Sequence, residues 1–191
     1  LITRKIPSSG EAVPIVGLGT WQAFDIAGSG AEFEQALEGL KTFAELGGRL
    51  VDSSPMYGEA EARIGDLSAA LSLRPKLFLA TKVWTRGREA GIAQMQASVR
   101  KMRAEVIDLM QVHNLLDLDV HMATLRAWKD EGKLRHLGVT HYHEGAYDDL
   151  EAAMRRYPLD AIQINVSAAE REAEARILPL AAERGMAVIV N

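Results

Sequence analysis

The chain has 191 residues, 48% of them hydrophobic and 25% charged, a composition suited to a soluble globular domain with a sizeable core. A net charge of −4 with no basic run speaks against nucleic acid or an acidic membrane as partner, and no apolar run reaches the roughly 20 residues of a membrane span. With no cysteine, disulfides, thiolate metal sites and cysteine nucleophiles are excluded.

The chain opens at Leu1 without an initiator Met, so a segment upstream is expected. A cytoplasmic protein is the first expectation, and export after removal of a signal segment is the alternative. Ile2–Ile6 and Val13–Val16 flank the turn composition Pro7-Ser8-Ser9-Gly10, which predicts an N-terminal β-hairpin. Gly17-Leu18-Gly19-Thr20-Trp21 reads as a first strand with close backbone approach at its glycines. Glu32–Leu46 reads as a helix, because Phe33, Ala36, Leu37, Leu40, Phe43 and Ala44 form one stripe and Gly47-Gly48 stops it. A second strand, Leu50-Val51, runs into Asp52-Ser53-Ser54-Pro55-Met56-Tyr57-Gly58, a polar turn that puts a carboxylate at the strand end and a phenol beyond it.

The alternation continues to the end of the chain. Helices are predicted over Glu59–Ser72, Glu89–Arg103, the stretch from an Asp119 N-cap to Gly132, and Glu144–Tyr157. Strands are predicted over Leu77–Val83, Ile107–His113, Leu134–Thr140, Ala161–Val166 and Met186–Val190. Pro179 implies that a sixth helix starts near Ile177 or kinks there. Strands recur roughly every 25–33 residues, the size of a βα unit. Most are continuously apolar, as in a parallel sheet covered by helices. One domain, residues 1–191, is therefore expected: a (β/α)8 TIM barrel with strands one to seven and an N-terminal hairpin. A doubly wound sheet is the runner-up, since periodicity does not fix closure. Complete barrels of this class run to about 250 residues, so the last βα unit is expected beyond Asn191.

In such a barrel the strand ends face one mouth. Asp52, Tyr57, Lys82 and His113 fall there on successive units. Taken singly, each has a structural explanation: a helix cap for Asp52, a packed amphipathic ring for Tyr57, a satisfied core histidine for His113. Lys82, inside the apolar run Phe78–Trp84, needs a partner for its charge, and Asp52 one strand away is the natural one. His141-Tyr142-His143 has a spacing seen in metal sites but lacks an obvious third ligand, so no metal is expected. His121 is expected on a helix surface, His136 at a strand start, and Glu170–Glu174 on a solvated helix face. Gly17–Gly19 lacks the third glycine of a phosphate loop.

The sequence resembles the aldo-keto reductases along the whole chain. Gly17-Leu18-Gly19-Thr20-Trp21, Asp52 with Tyr57-Gly58, Thr81-Lys82-Val83 and Gln111-Val112-His113 carry the resemblance, and Gly132-Lys133 before Leu137-Gly138-Val139-Thr140 adds to it. The resemblance implies an oxidoreductase that reduces a small-molecule aldehyde or ketone with NADPH through an Asp52–Tyr57–Lys82–His113 tetrad. Tyr57 would be the proton donor, its pKa lowered by Lys82, with Asp52 holding Lys82 and neutral His113 orienting the carbonyl. Trp21 and Trp84 would wall the substrate pocket. Gly19, Thr20, Asp52, Thr140, His141, Gln163 and Asn191 would line the nicotinamide end of an NADP site. The match is incomplete there: Thr140-His141 stand where the family has Ser-Asn, and Asn191 stands where many members stack an aromatic ring. The family also includes cofactor-binding regulatory subunits of membrane channels, the alternative within this fold. An unrelated barrel enzyme such as a metal hydrolase is a third possibility.

Overall fold

Phe78–Val83 and Ile107–His113 are buried at every position. Strands without a polar face belong in the middle of a parallel sheet flanked by helices, and the computed structural model, which describes residues 1–191, has them there. A small antiparallel hairpin comes first, β1 (Thr3–Lys5) with β2 (Ala12–Pro14), Arg4 opposite Val13. Seven parallel strands follow in strict chain order: β3 (Leu18–Gly19), β4 (Leu50–Asp52), β5 (Phe78–Val83), β6 (Ile107–His113), β7 (Leu134–His141), β8 (Ala161–Ile164) and β9 (Ala187–Val190). Between them run α1 (Ala31–Glu45), α2 (Ala60–Ala70), α3 (Arg88–Lys101), α4 (Leu118–Asp130), α5 (Tyr147–Arg156) and α6 (Ile177–Glu183).

The strand order never reverses, which rules out the doubly wound alternative, whose order turns back at a switch point. The sheet curls instead into an incomplete (β/α)8 barrel. Its larger core lies between sheet and helices, with Val51, Leu79, Met110 and Ile162 meeting Leu40, Ile64, Met95 and Leu125. A smaller one fills the bottom of the lumen, where Ile6 and Val13 of the hairpin region plug against Phe78, Ala80, Leu109 and Ala161. β3 and β9 are the edges of the sheet and do not pair with each other. Between them a cavity of about 600 Å³ runs from the hairpin up to Asp52, Gln163 and Asn191. No helix is long and apolar enough to cross a membrane.

Several local expectations are corrected. Asp119 does not cap α4. The N-cap is Asp117, with a left-handed backbone, and Asp119 instead holds Arg156 and the Tyr157 hydroxyl of the neighbouring unit. His121 is fully buried rather than on a helix surface. Its ring lies 2.7 Å from the Thr85 carbonyl and fills the space left by Gly91, where a Cβ would sit 2.5 Å from the imidazole. His136 lies within β7, buried in the lumen and stacked on Phe78 at 5.9 Å. Glu172–Ala175 forms one short 3-10 turn rather than a helix face. The sixth helix does start at Ile177, as expected, so Pro179 falls in its first turn, where no N–H is missed.

Candidate active site

Side chains alternate along a strand, so residues two apart share a face. In β5, Phe78 and Ala80 face the lumen core, and Lys82 follows them on that side; Leu79 and Val83 pack outward against the helices. In β6 the corresponding series is Leu109, Gln111 and His113. The registers Asp52–Ala80, Lys82–Gln111, His113–Thr140 and Thr140–Gln163 then bring five strand ends to one mouth.

Lys82 is 1% exposed and Asp52 8%. The Lys82 ammonium donates to both Asp52 oxygens and to the Ser53 carbonyl, each at 2.8 Å. An ammonium has three N–H donors, so all are spent. Gln163 extends the network: its amide donates to Asp52 at 3.1 Å and to Asn191 at 2.8 Å, and accepts from Gln111 at 2.8 Å. Gln111 and Ser53 were not singled out as site residues in the sequence. The signal available was that Gln111 lies two residues before His113, on the same face of its strand, and that Ser53 directly follows Asp52.

Tyr57 is carried by the turn after β4. Its N–H donates to the Ser54 carbonyl at 3.0 Å, and Gly58 follows with φ 57°, where a Cβ would also collide with Asp25. Asp25, in the loop after β3, accepts the Glu59 N–H at 2.9 Å and braces the turn. The ring lies 5.3 Å from the Lys82 ammonium, as a cation–π contact, and meets His113 edge-on at 6.2 Å. Burial, then the charge of Asp52, push the Tyr57 phenol up to about 12. The direction is opposite to the lowering expected from a neighbouring lysine. Lys82 is paired with Asp52 and has no donor left for the hydroxyl.

His113 is 7% exposed. Burial, then the charges of Lys82 and His141, hold it down at about 3, so the ring is neutral. Its Nδ1 lies 3.1 Å from the hydroxyl of fully buried Ser54, a third residue not predicted for the site. Its only signal was its place two residues beyond Asp52. Trp84, at the end of β5, reaches His113 at 6.4 Å between ring centroids. Trp21 is 65% exposed in the turn after β3 and makes no aromatic contact with this cluster.

The remaining predicted residues edge the same mouth. Thr20 is fully buried and spends its hydroxyl on Ser53 at 2.9 Å, while Gly19 lines the cavity with open space where a Cβ would stand. Thr140 is buried at the end of β7. His141 follows half-buried, stacked on exposed Tyr142 at 5.4 Å. Burial, then His143, lowers its basicity. Asn191 is exposed beside Gln163. No group of three or more His, Asp or Glu side chains is placed to hold a metal ion.

Comparison with known proteins gives one consistent result. The chain is 26% identical to the aldo-keto reductase YhdN of Bacillus subtilis over 97% of its length and 60% of that protein's. It is 31% identical to the methylglyoxal reductase YeaE of Escherichia coli over 72% of its length and 49% of that protein's. It thus spans about half to three-fifths of these relatives. Among solved structures, the thermostable aldo-keto reductase Tm1743 in complex with the inhibitor epalrestat superposes with a TM-score of 0.84 at 22% identity, covering all of this chain and 72% of that one. An aldo/keto reductase from Klebsiella pneumoniae in complex with NADP and acetate gives 0.81 at 25% identity, over 96% of this chain and 65% of that one. The model of the aldo/keto reductase family matches residues 15–191, nearly the whole chain, and the chain belongs to that family.

Proposed function

We propose that the site reduces an aldehyde or ketone to an alcohol with NADPH, Tyr57 giving the proton. The convergence at one mouth of a protonated phenol, a neutral imidazole and a sealed ammonium–carboxylate pair carries this proposal. Relatives named as methylglyoxal reductases and an NADP-bound neighbour support the reaction class and the cofactor.

When bound, the reduced nicotinamide supplies a hydride to the carbonyl carbon. The charge then gathers on oxygen, where donors aimed in advance matter most. The Tyr57 hydroxyl keeps its proton at neutral pH and passes it to that oxygen, since an alkoxide is a much stronger base than a phenolate. Neutral His113 donates an N–H to the same oxygen and turns the carbonyl toward Tyr57. Lys82 acts on Tyr57 through space only, with Asp52 and Gln163 fixing its position. Trp84 walls the substrate side.

The mouth suits the nicotinamide end of the cofactor. Gly19 leaves room for close approach on the cavity wall, and His141 and Asn191 offer polar groups at the ends of β7 and β9. Thr140 and Thr20 support these ends from within. Gln163 has both its N–H donors in use, so it meets a carboxamide through its oxygen or by letting go of Asn191. Tyr57→Phe, assayed by NADPH oxidation with methylglyoxal and with aromatic aldehydes on the intact gene product, should lower kcat about 10²-fold and leave cofactor affinity nearly unchanged. A near wild-type rate would remove Tyr57 from the role of acid.

A further inference from the structure

Ser54 sits where two parts of the site meet. Its backbone carbonyl receives the Tyr57 N–H at 3.0 Å, and its hydroxyl lies 3.1 Å from His113 Nδ1. The side chain is fully buried. The only other hydrogen bond of that hydroxyl is a long one, accepted from the Met56 N–H at 3.4 Å.

A neutral imidazole carries one proton, on Nδ1 or on Nε2. With the proton on Nδ1, the ring would donate to the Ser54 oxygen. The Ser54 hydroxyl proton would then have no acceptor, and a buried unsatisfied donor is costly. With the proton on Nε2, Ser54 accepts from Met56 and donates to Nδ1, and both groups are satisfied. His113 Nε2 has no partner in the protein and is not sealed away from solvent, so its N–H is free to face a bound molecule. We infer that Ser54 is a positioning residue that fixes His113 in its Nε2–H tautomer and presents that N–H at the mouth. The low basicity of His113 is consistent with this, since a ring held neutral must have a tautomer to choose.

The inference rests on the proposed role of His113 only for its effect on turnover; the tautomer can be read without it. Proton–nitrogen correlation spectra of protein labelled with ¹⁵N-histidine report which nitrogen is protonated, and His113→Gln identifies the signal among the five histidines. The wild type should show His113 as the Nε2–H form. Ser54→Ala should give a mixture of both forms with kcat reduced about tenfold, and Ser54→Thr, which keeps the hydroxyl, should restore the Nε2–H form. An Nδ1–H form in the wild type, or no change of tautomer in Ser54→Ala, overturns the inference. A shifted tautomer with unchanged kcat leaves Ser54's control of the ring standing and overturns instead the role given to His113 in turnover.

Discussion

Replacing Lys82 by Met tests whether the buried ion pair is a unit. The change removes three hydrogen bonds at 2.8 Å and leaves the Asp52 carboxylate, 8% exposed, with only the Gln163 amide at 3.1 Å. Breaking one side of a buried pair typically costs about 3–5 kcal/mol. A second route gives a similar size. An orphaned carboxyl escapes its burial by taking up a proton, and for an acid of ordinary pKa near 3.9 this costs about 1.4 kcal/mol for each pH unit above that value, or about 4 kcal/mol at pH 7. At pH 5 the same step costs roughly 1.5 kcal/mol. The folded variant then binds a proton that the unfolded chain does not, so its deficit against the wild type grows as pH rises. Urea denaturation of both proteins at pH 5, 6 and 7 should show this trend, and adding Asp52→Asn should recover more than half of the loss at pH 7. A deficit that is equal at pH 5 and pH 7, or a double variant whose losses simply add, would refute the pairing as the source of stability.

His113 should leave its own mark on the acid side. The unfolded chain takes a histidine proton near pH 6.5, whereas the folded site refuses it down to about 3. Wild-type stability should therefore fall relative to His113→Gln as pH drops through that window, by up to about 1.4 kcal/mol per unit; a difference that stays constant from pH 7 to pH 4 would count against a neutral buried ring. Gly138→Ala should lower Tm, because its Cβ would stand 2.5 Å from the Ala161 carbonyl where β7 pairs with β8. The expected cost is about 1–3 kcal/mol, read by thermal circular dichroism, and an unchanged Tm would mean the two strands part freely.

Most of the fold could be read from local pattern. The apolar runs at 78–83 and 107–113 and the helical stripes between them carry their own periods, so each strand and helix was found within a few residues. Errors arose where an element is defined by a neighbour far away in sequence. Asp119 looks like a cap because it opens a helix, but Arg156 and Tyr157 come to it from the next βα unit. His121 looks exposed because histidine is polar; it is buried because Gly91, thirty positions earlier, leaves a hollow on the facing helix. Gly91, inside the first turn of α3, was the available clue, since a glycine within a helix often marks a close approach.

At the site, residue types were readable and the sharing of hydrogen bonds was not. A lysine near a tyrosine suggests a cation that draws off the phenol proton. Only the folded arrangement reveals that Asp52 and Ser53 take all three of its donors and that burial, then Asp52's charge, push the phenol up. This bears on the direction of the proposed chemistry. A phenol at about 12 rather than 10 holds roughly a hundredfold less tyrosinate at any pH well below both values. In the proposed chemistry reduction needs Tyr57 with its proton on, the form that a phenol pushed up to about 12 keeps throughout the neutral range. Oxidation of an alcohol by the same proposed route would need tyrosinate to receive a proton, and burial makes that form rarer in the unbound site.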